Sequence, residues 1–331
     1  MSEFTNEQAM DVSFRVVERV MSFLARHRDS MTDADVIIKP DGSPVTTRDL
    51  AGQALYVLLL EESLGLAPGE LRLCGEETVE ILRGPGRQDL RAQITQLLHH
   101  EGHLLGENDA VDIIGRGSFR PTPGEGSTHW ICDPIDGTKR FISGHTYSTC
   151  LAFVRGGQLV AGSIGVPDLH SQTNSSGTGT LVGACLGGGV FQMDSSSPAG
   201  PLRRLKISSD SSETSPIKVA RSLGAEQFGP RMQQRLRDAG IEGVPVQVDN
   251  QSKYAALVIG HIDLIAQSGA SITNPCTWDY APGVLLAQEF GAEVNDAEDQ
   301  SFDFDTGPYL LNNRGVRCAH PTLYDSCFRL S

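Results

Sequence analysis

Hydrophobic positions near the start of the chain recur every three or four residues, which is the period of an amphipathic helix. The stripe consists of Met10, Phe14, Val17, Met21 and Leu24. It predicts a first helix over residues 6–28 whose apolar side faces a core.

A turn-forming segment, PDGSP at 40–44, separates this helix from a second helical pattern. The second pattern includes Leu50, Ala54 and Leu58. We expect Asp49 to be the N-cap of this helix, because an Asp side chain accepts hydrogen bonds from the free N–H groups of a first helical turn.

One strand-like run and one further helical pattern follow. Residues 71–74 are apolar and predict a short strand that ends at GEE, 75–77. A helical pattern runs through residues 90–98, and the polar sequence after it predicts a loop up to His129.

After His129 the pattern changes to that of a sheet. Strands are predicted at 130–132, 147–154, 159–166, 181–186 and 190–193. The glycines at 156–157 and 187–189 predict hairpin turns between neighbouring strands. Two segments rich in Ser, Gly and Pro, 171–180 and 194–200, predict surface loops.

The last third of the chain alternates β-like runs with helical stretches, as an α/β layer does. The β-like runs are 202–207, 217–220, 244–248 and 262–266, and the helical stretches lie near 226–239, 251–260 and 279–290. We predict an α/β (α+β) fold of layered helices and sheets in two domains, 1–166 and 167–331, with a site at their junction.

Composition restricts the partners of the protein. The chain has 331 residues, of which 27 are basic and 41 acidic, so its net charge is −14. This charge argues against nucleic acid or a membrane surface as a partner, because both require clustered Lys and Arg. The seven cysteines form no C-x-x-C pair, and the N-terminus lacks the features of a signal peptide. We expect a cytoplasmic protein with a small-molecule partner.

Candidate chemistry lies in carboxylates close to predicted strand ends and helix starts. Asp133 and Asp136 follow one strand, Glu76 follows another, and Asp279 begins a helix. Each has an ordinary explanation as a turn residue, a solvated acid or an N-cap, and Glu77 is predicted to be a solvated acid. Together the four candidate carboxylates supply enough oxygen ligands for two or more divalent ions, of which Mg²⁺ is the natural choice.

The residues after Asp136 add a second feature to this site. If residues 137–141 open a short helix, the free N–H groups of its first turn bind a phosphate oxygen beside the metal ions. The sequence therefore predicts a phosphoryl-transfer site.

Four segments resemble, in order and spacing, the magnesium-dependent, lithium-sensitive phosphatases of the inositol monophosphatase-like superfamily. They are DGSPVTTRD (41–49), GEE (75–77), WICDPIDGTKRFISG (130–144) and WDYAPG (278–283). A finer similarity is to the 3′(2′),5′-bisphosphate nucleotidases. It is carried by SPVTTRD, DPIDGTKRF, DNQSKYAAL (249–257) and FDFDTG (302–307). The resemblance spans about residues 10–315 and implies the layered sugar-phosphatase fold.

The resemblance also implies roles for individual residues. Two or three Mg²⁺ ions would be held by Glu76, Asp133, the carbonyl of Ile135, Asp136 and Asp279. Asp49 and Thr138 would orient and deprotonate the attacking water. The substrate contacts would be Gly137, Thr138, Asn250, Lys253 and Asp279. The implied substrates are small phosphorylated nucleotides of sulfur assimilation, adenosine 3′,5′-bisphosphate and 3′-phosphoadenylyl sulfate, each losing its 3′-phosphate.

The chain departs from the nucleotidase pattern in three places. Asn250 stands where Ser is usual, Gln267 stands where Arg is common, and residues 220–227 lack an expected His. An inositol phosphate phosphatase of the same superfamily is the alternative enzyme, and a non-catalytic nucleotide-binding regulator is the alternative from another class. The presence of Asp49, Thr138 and every metal carboxylate disfavours the regulator.

Overall fold

The computed structural model describes residues 4–84, 86–169, 179–193, 200–207, 216–222, 229–268 and 275–329. Its helices are α1 (Asn6–Arg28), α2 (Thr47–Leu64), α3 (Gln88–His100), α4 (Glu107–Arg116), α5 (Thr138–Ile142), α6 (Pro230–Asp238), α7 (Ser252–Val258), α8 (Ala281–Phe290) and α9 (Pro321–Phe328). Short 3₁₀ turns lie at Asp33–Asp35, Val79–Leu82 and Thr277–Asp279. Among the described residues, no helix is both long enough and apolar enough to cross a lipid bilayer.

The strands within the described residues form three sheets. A two-stranded sheet contains β1 (Val36–Ile38) and β2 (Pro44–Thr46). A seven-stranded sheet has the spatial order β3 (Leu73–Gly75), β4 (His129–Asp136), β5 (Ser148–Arg155), β6 (Gln158–Val166), β7 (Thr180–Cys185), β8 (Gly189–Met193) and β9 (Arg203–Leu205). A five-stranded sheet has the order β11 (Gly243–Gln247), β10 (Ile217–Arg221), β12 (Leu264–Gln267), β14 (Val316–Ala319) and β13 (Glu293–Asn295).

In the part of the chain that the structure describes, helices and sheets alternate in five layers. Helices α1 and α2 pack on one face of the seven-stranded sheet, and α7 and α8 cover its other face. The five-stranded sheet lies on the far side of α7 and α8, and its outer face is covered by α6 and α9. This arrangement confirms the predicted fold of layered helices and sheets.

Side chains along β5 alternate between two buried faces of the seven-stranded sheet, and this explains why the sequence of the strand is apolar almost throughout. Leu151 and Phe153 lie in the core that contains α1. Cys150, Ala152 and Val154 point the other way, into the core that contains α8. Because both faces of the strand are buried, its sequence lacks the polar alternation of a half-exposed strand.

The first helix, predicted over 6–28, is confirmed. The loop predicted after residue 98 is wrong in part, because it contains α4. Ala110, Ile113 and Ile114 of α4 are buried, and the helix packs against α2 and α3. A ten-residue helix among polar residues offers too few apolar positions to establish a helical period.

Both predicted hairpins are confirmed, since the glycines at 156–157 join β5 to β6 and those at 187–189 join β7 to β8. Residues 171–178 of one predicted loop and 194–199 of the other lie outside the described residues.

The predicted alternation in the last third is confirmed, with β9 to β12 and α6 to α8 in the expected order. The division into two domains after residue 166 stays a prediction. The seven-stranded sheet crosses this position, because β7 pairs with β6 along its whole length.

Candidate active site

The strand predicted at 130–132 extends through the Asp-Pro-Ile-Asp motif as β4. Asp133 pairs with Cys150 and Asp136 with Ser148, so β4 has one more residue than β5 between these two pairs. Pro134 suits such a bulge, because it has no N–H to donate to the neighbouring strand. Side chains three apart on a regular strand face opposite ways, and one extra residue lets both carboxylates face the same way.

Asp279 joins these two carboxylates from a distant part of the chain. It ends the 3₁₀ turn that leads into α8, and Tyr280 rather than Asp279 caps that helix, so α8 begins two residues later than predicted. Ligand oxygens of Asp133, Asp136 and Asp279 all lie within 4.8 Å of one another. Oδ1 of Asp133 is buried and has no hydrogen-bond partner among the residues that the structure describes.

Burial and mutual repulsion oppose ionisation of this cluster. Loss of hydration, together with neighbouring carboxylates, raises the pKa of Asp133 and of Asp279 well above the usual range. Burial raises the pKa of Asp136 to about 7, although Lys253 and the N–H of Gln251 lower it. A divalent cation would offset this repulsion, and carboxylate oxygens are the ligands that hard cations prefer. The three aspartates therefore fit a divalent metal ion.

Glu76 and Glu77 follow β3 beside this cluster, and both contact Lys39. Nζ of Lys39 lies 2.8 Å from Oε1 of Glu77 and 3.3 Å from Oε1 of Glu76. Glu77 is 1% exposed, so the prediction of a solvated acid is wrong. Burial raises the pKa of Glu77, and the two carboxylates raise the pKa of Lys39 even though its own burial lowers it. Coordination of a metal by Glu76 stays a prediction.

Asp49 is buried, but it is not the N-cap of α2. Thr46 is the N-cap, and Asp49 is the third helical residue of a capping box. Oδ2 of Asp49 accepts from the N–H and the hydroxyl of Thr46, at 2.8 Å and 2.6 Å. Its Oδ1 accepts from the hydroxyl of Thr138 at 3.0 Å, and that hydroxyl is also 3.2 Å from the carbonyl oxygen of Ile135. Burial raises the pKa of Asp49 to about 6.

The short helix predicted after Asp136 is confirmed as α5. Gly137 caps it with φ +96°, in the left-handed region that favours glycine. A Cβ at Gly137 would lie 2.7 Å from Nδ2 of Asn250, so the glycine also lets the residues just before α7 approach the start of α5 closely. Phosphate binding by the first N–H groups of α5 stays a prediction.

Asn250 and Lys253 lie at the start of α7. Asn250 has φ +46°, and its Oδ1 accepts from Ser148 Oγ at 3.1 Å and from the N–H of Ser252 at 2.8 Å. Lys253 is only 5% exposed, and its Nζ donates to the carbonyl of Asn250 at 2.8 Å. Burial lowers the pKa of Lys253, although nearby carboxylates such as Asp136 oppose this shift. Contact of Asn250 or Lys253 with a nucleotide stays a prediction.

Sequence reasoning missed several residues that the structure brings to the site, among them Lys39, Ser148 and Gln251. Lys39 precedes a turn-forming segment, Ser148 lies in a predicted strand and Gln251 begins a predicted helical stretch. None of these local patterns points to a metal site. Gln267, one of the positions at which the chain departs from the nucleotidase pattern, ends β12 and pairs with Val316 of β14. Residues 223–227 lie outside the described residues.

Comparisons with known proteins agree with this architecture. A model of the inositol monophosphatase family matches residues 88–328. The 3′,5′-bisphosphate nucleotidase 2 of Arabidopsis thaliana is 30% identical over 304 residues, which cover 87% of this chain and 85% of that protein. The 3′(2′),5′-bisphosphate nucleotidase of Schizosaccharomyces pombe is 28% identical over 324 residues, which cover 94% of this chain and 89% of that protein.

Solved structures show the same fold. The extragenic suppressor protein suhB of Bartonella henselae superposes with a TM-score of 0.62 at 18% identity, covering 97% of each chain. The inositol monophosphatase of Thermotoga maritima gives a TM-score of 0.61 at 18% identity, covering 97% of this chain and 95% of that one. With a family match over most of its length and five alternating layers of helix and sheet, the chain belongs to the inositol monophosphatase family.

Proposed function

We propose that the protein is a metal-dependent phosphomonoesterase that hydrolyses the 3′-phosphate of adenosine 3′,5′-bisphosphate to give AMP and phosphate. The observation that carries this proposal is the cluster of Asp133, Asp136 and Asp279, with ligand oxygens within 4.8 Å of one another. These side chains would hold Mg²⁺, in two or three ions, together with Glu76 and the carbonyl oxygen of Ile135.

The reaction would be an in-line displacement, in which a water oxygen attacks phosphorus and the ribose oxygen leaves. Bound divalent ions would acidify that water and neutralise charge on the phosphoryl group. Thr138 would orient the water, and Asp49, whose carboxylate accepts from the Thr138 hydroxyl at 3.0 Å, would take its proton through that hydroxyl. An Asp beside bound divalent cations stays ionised and can accept a proton.

The part of the substrate that does not react would contact the start of α7. The charges of Asp136, Asp249 and Asp279 all act on Lys253, so its ammonium lies among these carboxylates. An ammonium in this position is a suitable point charge for a second phosphate. An inositol monophosphate has no second phosphate, so Lys253 would not contribute to its binding in this way. The two relatives named as bisphosphate nucleotidases support the nucleotide as substrate.

Phosphate release from adenosine 3′,5′-bisphosphate and from inositol 1-phosphate, measured side by side, tests the proposal. Each substrate is assayed with Mg²⁺, with EDTA, and with Mg²⁺ plus lithium. We expect a preference for the nucleotide, loss of turnover in EDTA and inhibition by lithium. Lys253→Met should raise the KM for the nucleotide about tenfold or more, since charge-assisted contacts are the strong ones. The exposed Lys206 provides the matched control, Lys206→Met.

Asp136→Asn tests the metal site itself. We expect it to abolish turnover while the circular dichroism spectrum remains that of the parent, because the change replaces one ligand oxygen by an amide of the same size. Full activity of Asp136→Asn would rule out the proposed site. A preference for inositol 1-phosphate would retain the metal chemistry and reject the nucleotide. Absence of Mg²⁺-dependent release from a panel of phosphomonoesters would favour the non-catalytic regulator.

A further inference from the structure

Gln251 is a buried amide that connects two distant segments of the metal cluster. It immediately precedes α7 and is 0% exposed. Its backbone N–H donates to Oδ2 of Asp136. Its side-chain Nε2 donates to the carbonyl oxygen of Trp278 at 2.7 Å, and its Oε1 accepts from the N–H of Gly283 at 3.1 Å. One residue therefore contacts the segments that carry Asp136 and Asp279.

The two side-chain contacts of Gln251 lie on either side of Asp279. Trp278 precedes Asp279 in the 3₁₀ turn, and Gly283 is in the first turn of α8. The side-chain amide of Gln251 is planar, so the directions of its donor and acceptor groups are fixed relative to each other. Its two hydrogen bonds therefore restrain the backbone between Trp278 and Gly283. The carboxylate of Asp279 is carried on that segment.

The same residue restrains the opposing carboxylate. Oδ2 of Asp136 accepts from the N–H of Gln251. It also lies 3.3 Å from the hydroxyl of Ser148, whose one proton is shared between this oxygen and Oδ1 of Asn250 at 3.1 Å. These contacts fix the rotation of the carboxylate group. Asp136 and Asp279 repel each other when ionised, so without such restraints they would move apart.

We propose that Gln251 is a positioning residue that holds Asp136 and Asp279 at the separation needed to share a divalent cation. This inference rests on the proposed metal-dependent function. Partners that orient metal ligands contribute about tenfold to a hundredfold to metal affinity, even though they do not touch the metal. Gln251 would therefore set the affinity for Mg²⁺, while the reacting groups Asp49 and Thr138 are unaffected.

Direct Mg²⁺ binding to the full-length, EDTA-treated protein, measured by isothermal titration calorimetry, tests this role. Gln251→Met keeps the backbone N–H and a similar volume but removes both side-chain hydrogen bonds. We expect its Kd for Mg²⁺ to rise about tenfold to a hundredfold. At saturating Mg²⁺ its kcat should stay within about threefold of the parent, since no group that contacts substrate is lost. Gln251→Leu, which also lacks both side-chain hydrogen bonds, should weaken Mg²⁺ binding by a similar factor.

Gln192→Met is the matched control, because Gln192 is also a buried glutamine, 6% exposed, but bonds to Arg203 away from the cluster. Its melting temperature should fall without a change in the Kd for Mg²⁺. If both Gln251 variants also lose thermal stability but bind Mg²⁺ as tightly as the parent, Gln251 is only a structural residue and the inference is wrong. Asp136→Asn distinguishes failure of the Gln251 inference from failure of the proposed function. Unchanged Mg²⁺ binding in Asp136→Asn would reject the metal site itself.

Discussion

Replacing Thr138 by valine removes one hydroxyl group from the site at almost constant volume. That hydroxyl lies 3.0 Å from Oδ1 of Asp49 and 3.2 Å from the carbonyl oxygen of Ile135. A hydroxyl has one proton and can donate to only one of these acceptors at a time. We expect Thr138→Val to lower kcat by about a hundredfold to ten-thousandfold, the usual contribution of a positioned proton-transfer group, with little change in KM.

The size of the effect distinguishes a chemical role from a structural one. Loss of one intramolecular hydrogen bond typically lowers the free energy of unfolding by about 1 kcal/mol. Since each tenfold in rate corresponds to about 1.4 kcal/mol, the expected loss in kcat requires about 3 to 5 kcal/mol of activation free energy. A hydroxyl that only stabilised the fold would therefore lower the melting temperature and leave kcat nearly unchanged.

The assay is the pH dependence of kcat at saturating Mg²⁺ and substrate. The hydrogen bond from Thr138 lowers the pKa of Asp49, so its removal should move the acid limb of the profile to higher pH. Thr138→Ser keeps the hydroxyl and serves as the control, with kcat near that of the parent. A Thr138→Val protein that retained parental kcat and an unshifted acid limb would refute the proton-transfer role of this pair.

Two further predictions concern the support and the charge of the site. Arg28, at the end of α1, donates to the carbonyl of Phe141 in α5 at 3.2 Å and to two other backbone oxygens in and after that helix. Arg28→Met should lower kcat about tenfold or more through displacement of α5, while Arg26→Met, two residues away, should not; equal kcat in the two variants would contradict this. Burial raises the pKa of Asp49 to about 6 and of Asp136 to about 7, above the values of an unfolded chain. Their contribution to the stability of the metal-free protein is present in full below the unfolded pKa and is lost as pH rises to about 7. The rise in melting temperature on adding Mg²⁺ should therefore grow between about pH 5 and pH 7.5, and a rise independent of pH would contradict the assignment.

The sequence determined features that depend on neighbouring residues. The spacing of apolar residues predicts α1, and one glycine pair and one glycine triplet predict the two hairpins, because period and turn chemistry act over a few residues. The four motifs also predicted the family and the three aspartates that the structure brings together, Asp133, Asp136 and Asp279. Asp133 and Asp136 were recognisable because they lie three residues apart in a single motif.

Tertiary structure alone decided which polar groups are buried together. Asp279 meets the other aspartates because α8 packs on the sheet that contains β4. Glu77 is buried where Lys39 and Gln53 pack beside it. The amide of Gln251 reaches Trp278 through the same packing. Such contacts join residues far apart in the chain, and the loss of hydration that shifts their pKa values depends on every layer around them. The burial of these polar groups cannot be predicted from any local pattern in the sequence.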